Sequence, residues 1–320
     1  MNADLKGIDK SRIETFKTGK QHDPSVIVIH PTYHCSAGCP YCYMREPWAM
    51  HGNNLELVSH REWLERMRQL HEFDLDLLIL AGGGEPTDFE LFDELCELIE
   101  KLDVPAKIFS NGFGLNASLI IRYGYLFESI SFNLRAIIIR KKFIDVVKLI
   151  KRTRAMGNCP RFNSILVEPN LAHIDEVLTP EVIGFLSHMD SLIISPEWSS
   201  DIESFDVEGI RSLCQQRGVP SVRIMEDELP PAYLPDGRIY CGSRYLNITI
   251  GRDLKLYPCC QYSYQPAWQM ADLNQPMSLK EQWNNLISNG SLPSPSGCSS
   301  CFFSSLNREL LKIDAFAETR

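Results

Sequence analysis

Three closely spaced cysteines are the residues of this chain best suited to chemistry. Cys35, Cys39 and Cys42 form the pattern C-x3-C-x2-C in a loop with glycine and proline, soon after the apolar run Val26–Ile29. Such spacing lets one short loop place three thiolates around one inorganic centre, and thiolate sulfur suits iron–sulfur clusters or zinc. A closed zinc site needs a fourth ligand, and the neighbouring histidines form no suitable pair. Three ligands around a four-iron cluster would leave one iron open to a substrate.

Length and composition restrict the classes of protein to consider. The 320 residues are long enough for one large α/β domain with a smaller appendage, and a hydrophobic content of 44% fits a soluble globular protein. Residues 1–21 lack the apolar core of a secretory signal, and no apolar stretch reaches the length of a membrane span. The net charge of −9 argues against a broad nucleic-acid interface.

The chain contains eleven cysteines. Without an export signal, they indicate metal ligands rather than disulfides, and we expect a cytoplasmic protein. A second group lies near the end of the chain: Cys241, Cys259, Cys260, Cys298 and Cys301. Cys96 and Cys214 fall on helical patterns, where we expect them to pack as small core residues.

From residue 25 the chain alternates between short apolar runs and helical patterns. We predict strands at 25–30, 75–81, 106–110, 129–133, 161–167 and 191–195, with a further strand at 221–225. Helices are predicted at 59–72, 89–102, 116–123, 142–156, 180–189 and 207–217, the second of them capped by Thr87 or Asp88. Repeated β–α units imply a parallel sheet with right-handed crossovers. Six units would make an α/β fold, a partial (β/α)6 TIM-like barrel, with its active site at the carboxyl ends of the strands.

The pattern changes after residue 225. A proline-rich stretch at 229–235 precedes a predicted hairpin of strands 245–250 and 254–257, followed by helices at 278–287 and 302–315. We therefore predict a lead-in at 1–24, a barrel at 25–231 and a small α+β domain at 232–320.

A glycine-rich turn follows the second predicted strand. Gly83, Gly84 and Glu85 come directly after the apolar run there, as the cysteine loop follows the first strand. Glycines let the backbone approach a ligand closely, and the Glu85 carboxylate could meet an ammonium group. The alternative is an ordinary tight turn between a strand and a helix.

These two motifs together resemble those of the radical S-adenosylmethionine (SAM) enzymes. The segment Cys35–Cys42, with Tyr41 before its last cysteine, is similar to the family's cysteine signature, and the turn ending in Glu85 resembles its "GGE" motif. In that family the three cysteines hold a [4Fe–4S] cluster whose open iron chelates SAM. The cluster's electron cleaves SAM, and the resulting 5′-deoxyadenosyl radical abstracts hydrogen from the substrate. The "GGE" motif holds the amino group of SAM.

The resemblance implies further SAM contacts at the ends of strands three and four. These contacts are Ser110, Asn111, Ser131 and Asn133, with Arg135 as a bidentate partner of the SAM carboxylate. Asn163 and Glu168, on or after strand five, would face the adenine. The alternative for each residue is a role in a turn or a helix cap.

The C-terminal cysteines resemble those of the twitch domain, a shortened form of the SPASM domain attached to radical SAM barrels. Seventeen residues separate Cys241 from Cys259, and Cys298 and Cys301 follow. The resemblance implies a second, auxiliary [4Fe–4S] cluster held by these four thiolates, and the alternative is a structural zinc site. Cys260 could replace Cys259 as a ligand, or serve as a free thiol that returns a hydrogen atom to a substrate radical.

The family resemblance favours modification of a peptide by crosslinking, epimerisation or oxidation. The alternative substrate is a small molecule such as an aminocyclitol or a sugar. A flavodoxin- or ferredoxin-type protein would donate the electron. A zinc-stapled binding protein is the contrasting non-enzyme hypothesis, and it leaves the glycine turn unexplained. The substrate, the net reaction and the oligomeric state stay open.

Overall fold

The computed structural model describes residues 12, 15–16, 23–39, 42, 58–157, 159–196, 205–225, 232–260, 263–288, 298, 301 and 303–313. Within them, no helix is long and apolar enough to cross a bilayer. Tyr41 and the predicted linker up to residue 231 lie outside these ranges.

One ten-stranded sheet organises the described chain. Seven parallel strands lie side by side in sequence order: β1 (Val26–Ile29), β2 (Leu77–Leu80), β3 (Ala106–Ser110), β4 (Phe127–Asn133), β5 (Arg161–Glu168), β6 (Ser191–Pro196) and β7 (Val222–Ile224). β1 is buried along its whole length, as expected of a strand covered on both faces. The mixed α/β architecture with a mostly parallel sheet is confirmed, and β7 is the further strand predicted at 221–225.

Helices connect the strands. They are α1 (His60–Met67), α2 (Phe92–Leu102), α3 (Ala117–Tyr123), α4 (Leu134–Ile139), α5 (Phe143–Arg154), α6 (Leu171–Val177), α7 (Pro180–Leu186) and α8 (Val207–Gln216). Their apolar faces pack on the sheet and form one large core. The α1 helix begins at a capping box, in which Ser59 and Glu62 each accept a hydrogen bond from the other's backbone.

Two details of the helices differ from the prediction. Neither Thr87 nor Asp88 caps the second helix, because α2 begins only at Phe92. Instead, Glu85 caps a short 3-10 turn at Pro86–Asp88. The α4 and α6 helices were not predicted; α4 follows β4 without an intervening loop.

Of the five strands described after residue 231, the last three extend the same sheet and the first two form a separate antiparallel pair. These strands are β8 (Ala232–Tyr233), β9 (Ile239–Tyr240), β10 (Asn247–Ile250), β11 (Lys255–Tyr257) and β12 (Ala271–Asp272), and the helices of this part are α9 (Leu279–Ser288) and α10 (Ser304–Ile313). β10 and β11 form the predicted antiparallel hairpin. β10 also pairs in parallel with β1, from Val26 opposite Asn247 to Ile29 opposite Ile250. The sheet is therefore continuous across the predicted domain boundary, and the division into domains remains a prediction.

Candidate functional site

The cysteine loop leaves the carboxyl end of β1. Cys35 is exposed, and Cys39 and Cys42 are half-buried. The backbone N–H of Cys42 donates to the carbonyl of Cys39 at 3.2 Å, which closes a turn between the last two cysteines. Gly38 has a φ of +64°, a conformation that glycine adopts without steric cost.

The glycine turn after β2 packs directly on this loop. A Cβ atom on Gly84 would lie 2.2 Å from the carbonyl oxygen of His34, and one on Gly83 would lie 2.8 Å from that of Thr32. The N–H of Glu85 donates to the carbonyl of His34 at 2.7 Å. Glycine is needed here because two backbones approach closely, so the turn is more than a connection between a strand and a helix.

The Glu85 carboxylate joins this turn to the loop after β3. Its Oε1 accepts from the hydroxyls of Thr87 and Ser110, each at 2.7 Å, and its Oε2 accepts from the N–H of Asn111 at 2.6 Å. Glu85 is buried, and burial raises the pKa of its carboxyl although the hydrogen bonds oppose that change. The described contacts of this carboxylate are therefore with the protein, and its contact with the SAM ammonium remains a prediction.

Asn111 links the Glu85 carboxylate to the cysteine loop. Its Oδ1 accepts from the N–H of Phe113 at 2.8 Å, and its Nδ2 donates to the Cys35 sulfur at 3.7 Å. The loops after β1, β2 and β3 are thus linked through Cys35, Glu85 and Asn111. Because β1, β2 and β3 are parallel neighbours, their carboxyl ends meet at one edge of the sheet. All three residues were predicted as site residues from the sequence, but the contacts between them were not.

The residues predicted on β4 and β5 have partners within the protein. Asn133 accepts from the N–H of Ala136 at 3.0 Å and caps α4. Arg135 forms a bidentate ion pair with the buried Glu168, with 2.8 Å between Nη2 and Oε2. The cap alternative is therefore correct for Asn133, and Arg135 already has a carboxylate partner on the protein. Their predicted contacts with SAM are not excluded by these bonds and remain predictions.

Ser131 and Asn163 meet on neighbouring strands. The Nδ2 of Asn163 donates to the Ser131 hydroxyl at 3.4 Å, and the Ser191 hydroxyl donates to Oδ1 of Asn163 at 2.8 Å. This polar row connects β4, β5 and β6. The SAM contact predicted for Ser131 and the adenine contact predicted for Asn163 also remain predictions.

Two of the C-terminal cysteines, Cys241 and Cys301, are connected through one buried side chain, Asn307 of α10. Its Nδ2 donates to the Cys301 sulfur at 3.3 Å, and its Oδ1 accepts from the N–H of Ser243 at 2.7 Å. The sulfur of Cys241 lies 3.6 Å from the Ser243 hydroxyl. Asn307 was not predicted as a site residue, because nothing in its local pattern distinguishes it from any other polar residue on a helix.

A buried aromatic cluster touches both cysteine groups. It consists of Tyr33, Tyr257, Tyr264 and Trp268, and Cys42, Cys259 and Cys298 pack against it. The ring centroids of Tyr33 and Tyr264 are 4.6 Å apart in an edge-to-face arrangement. The tyrosines near the cysteines in the sequence were a signal of this cluster that sequence analysis did not use.

His30 directly follows β1 and contacts the aromatic cluster at Tyr264. Its Nδ1 is 2.6 Å from the Tyr264 hydroxyl. Burial lowers the pKa of His30 to about 3, so the imidazole is neutral at ordinary pH.

Two of the remaining cysteines lie in the core, as predicted. Cys96 and Cys214 are buried in the core, and burial raises the pKa of both thiols. Cys260 is half-buried, and its carbonyl accepts from the Ser263 hydroxyl at 2.7 Å. Neither its role as an alternative ligand nor its role as a hydrogen donor is decided by these contacts.

The donor chemistry of both groups suits iron and sulfur. Each group offers cysteine sulfurs, and in each an asparagine N–H donates to one sulfur, a bond that favours thiolate ligands of iron–sulfur clusters. Within the described part of the chain, no three Cys, His, Asp or Glu side chains converge closely enough to hold a single metal ion.

Comparison with known proteins agrees with this site. Residues 29–171 match the model of the radical SAM superfamily. A stretch of 68 residues is 31% identical to the UPF0026 protein slr1464 of Synechocystis sp.. That stretch covers 21% of this chain and 26% of the relative, so it spans only about a quarter of that protein's length.

Two solved structures share the fold at low identity. Streptococcus suis SuiB bound to precursor peptide SuiA is 14% identical with a TM-score of 0.58, covering 92% of this chain and 74% of SuiB. Native anSMEcpe with bound AdoMet is 14% identical with a TM-score of 0.56, covering 92% of this chain and 98% of anSMEcpe. The match of residues 29–171 includes the cysteine loop, the glycine turn and the Asn111 loop. Residues 29–171 therefore match a radical SAM superfamily domain, and the described chain shares its fold with these two structures.

Proposed function

We propose that this chain cleaves SAM reductively and uses the resulting radical to abstract hydrogen from a C–H bond of its substrate. Cys35, Cys39 and Cys42 would hold the catalytic [4Fe–4S] cluster. When bound, that cluster supplies the electron that splits the sulfonium of SAM. The observation that carries the proposal is the linkage of Cys35, Glu85 and Asn111 across three neighbouring strand ends, within a radical SAM domain.

The protein's part in this chemistry is to position SAM. The edge where β1 to β5 end offers polar side chains that bind and orient a ligand, namely Glu85, Ser110, Asn111, Ser131, Asn133 and Arg135. Glu85 and Asn111 are fixed by the hydrogen bonds described above, so this part of the edge is organised before SAM arrives. The glycines at 83 and 84 let this turn pack directly on the cysteine loop, which holds Glu85 beside the site proposed for SAM.

We further propose one auxiliary [4Fe–4S] cluster on Cys241, Cys259, Cys298 and Cys301, within a twitch-like C-terminal segment. Two contacts support it. Asn307 links Cys301 to the turn after Cys241, and the aromatic cluster packs against both Cys259 and Cys298. The described side chains thus link the four cysteines in two pairs, Cys241 with Cys301 and Cys259 with Cys298. Such a cluster could accept the electron left on an oxidised substrate.

We propose that the substrate is a peptide and that the product is the modified peptide. Support comes from SuiB, whose structure with the precursor peptide SuiA shares this fold over 92% of the chain, although at 14% identity that likeness concerns the fold alone. A flavodoxin- or ferredoxin-type protein would deliver the electron.

Anaerobic reconstitution tests the enzyme class. The purified chain should contain iron and sulfide, about eight irons with two clusters, and should release 5′-deoxyadenosine from SAM when dithionite is added. Zinc without iron or sulfide would overturn the proposal in favour of a zinc-stapled binding protein.

Deuterium transfer tests the substrate class. Candidate precursor peptides and candidate aminocyclitols, each deuterated at carbon, are incubated with the active enzyme. Deuterium in 5′-deoxyadenosine from a peptide alone supports the proposal, and deuterium from a small molecule alone replaces it with a dehydrogenase of small molecules.

A further inference from the structure

Asn307 is a fully buried polar side chain on α10, with no exposed surface. Removing an amide from water is costly unless its donors and acceptor find partners. Its contacts therefore identify what this position is built to hold. Nothing in the proposed radical chemistry requires an asparagine at this place.

The partners determine how the amide is oriented. The backbone N–H of Ser243 can only donate, so the group facing it at 2.7 Å must be the oxygen Oδ1. The Nδ2 group consequently faces the Cys301 sulfur at 3.3 Å, and it can only donate. The result is a directed N–H···S hydrogen bond to a predicted cluster ligand.

The same side chain also controls the second ligand segment. Ser243 lies two residues after Cys241, and its hydroxyl is 3.6 Å from the Cys241 sulfur. The α10 helix packs against the 3-10 turn Gly242–Tyr245 that contains Ser243. One amide therefore holds together two cysteines that are sixty residues apart in the sequence.

We propose that Asn307 is a positioning residue for the auxiliary cluster, and that its hydrogen bond to Cys301 raises the reduction potential of that cluster. The inference rests on the proposed auxiliary cluster. A donor at a ligand sulfur withdraws electron density from it, which stabilises the reduced, more negative state. An easily reduced auxiliary cluster is better able to take an electron from a substrate radical.

The variant Asn307→Asp separates this effect from packing. Aspartate keeps the size and the acceptor for Ser243, but it replaces the N–H donor with an oxygen. We expect the potential of the auxiliary cluster to become more negative, while that of the catalytic cluster stays unchanged. Redox titration followed by electron paramagnetic resonance measures both.

Asn285→Asp is the matched control. Asn285 is exposed on α9, where its amide contacts the Met277 sulfur, so the variant adds the same charge to the same part of the chain. It should leave both potentials unchanged. The uncharged variant Asn307→Leu also removes the donor, so it too should make the auxiliary potential more negative; an unchanged potential there would assign the effect of Asn307→Asp to charge and overturn the inference.

A second measurement does not depend on any variant. With 15N-labelled asparagine in the wild-type protein, pulsed electron paramagnetic resonance of the reduced auxiliary cluster should detect coupling to one side-chain nitrogen, and Asn307→Leu should remove it. Absence of that coupling in the wild type overturns the inference even if the variants fail to fold.

The iron content shows whether the proposed auxiliary cluster or only the proposed role of Asn307 is wrong. If the wild type contains only about four irons, the proposed auxiliary cluster is wrong, and the inference falls with it. If it contains about eight, but Asn307→Asp changes neither potential nor coupling, the cluster stands and the role of Asn307 is refuted.

Discussion

The two cysteine groups of this chain are held in contrasting ways. The N-terminal group lies on a loop that meets the next two loops of a parallel sheet, and close backbone packing at Gly83 and Gly84 brings them together. The C-terminal group depends on side chains that are remote in sequence, chiefly Asn307 and the aromatic cluster. A site on adjacent strand ends follows from the order of the strands, whereas a site assembled from a hairpin, a loop and a helix depends on specific long-range contacts.

The largest expected effect concerns the N-terminal group. Cys35→Ala should reduce 5′-deoxyadenosine formation to below about one hundredth of the wild-type rate, because loss of a ligand costs more than the 10- to 100-fold typical of residues behind it. Product release is measured by chromatography under anaerobic conditions. Cys159→Ser is the control, since a hydroxyl can replace the thiol that donates to the Pro160 carbonyl. Undiminished cleavage in Cys35→Ala would refute the assignment of this loop.

The corresponding change in the C-terminal group should have a different outcome. Replacing Cys298 and Cys301 together by alanine should lower the iron content by about half, because two remaining thiolates hold a cluster poorly. Cleavage of SAM should survive, while conversion of the substrate stops. Unchanged iron would show that these cysteines are not ligands. Continued substrate conversion after the iron is lost would make the auxiliary site purely structural.

Glycine replacements test the close backbone packing. Gly84→Ala places a Cβ atom 2.2 Å from the carbonyl oxygen of His34, so we expect a loss of about 1–3 kcal/mol in the free energy of unfolding. Gly184→Ala is the matched control, because no atom lies within 4 Å of its added Cβ and it falls within α7. That control should gain about 0.5–1 kcal/mol. Chemical denaturation of the metal-free protein measures both, and equal stabilities would contradict the packing argument.

The smallest expected effect is a dependence of stability on pH. Because burial lowers the pKa of His30 to about 3, the unfolded chain binds a proton between that value and the ordinary pKa of 6.5 while the folded chain does not. Stability from the neutral imidazole is therefore complete above 6.5 and is lost as pH falls, by about 1.4 kcal/mol per pH unit.

Comparison with His30→Gln isolates that contribution. Glutamine does not titrate, so between about pH 7 and about pH 5 this variant should lose about 2 kcal/mol less stability than the wild type. Chemical denaturation at the two pH values measures the difference. His173→Gln, at an exposed position of α6, should match the wild type. A wild-type loss no larger than that of His30→Gln would exclude His30 as the cause.

Much of the fold could be predicted from local patterns. The strands were visible because short apolar runs bounded by turns suit a buried parallel sheet, and the hairpin of β10 and β11 because a glycine turn separates two apolar runs. The start of α2 could not be predicted, since Glu85 caps the preceding 3-10 turn and also holds the loop after β3. A residue that makes two different tertiary contacts leaves no clear signal in the sequence around it.

The candidate site, like the fold, could be predicted only in part. The sequence by itself determined the residue types of the N-terminal site, because three close thiols and a glycine turn after successive strands must share one edge of a parallel sheet. Only the tertiary structure decided how they are connected: Glu85 to Ser110 and Asn111, Asn111 to Cys35, and Arg135 to Glu168. It also decided that β10 joins the sheet beside β1, and that Asn307 reaches Cys301. Those contacts depend on how distant segments pack, and packing between distant segments has no periodicity that a sequence can display.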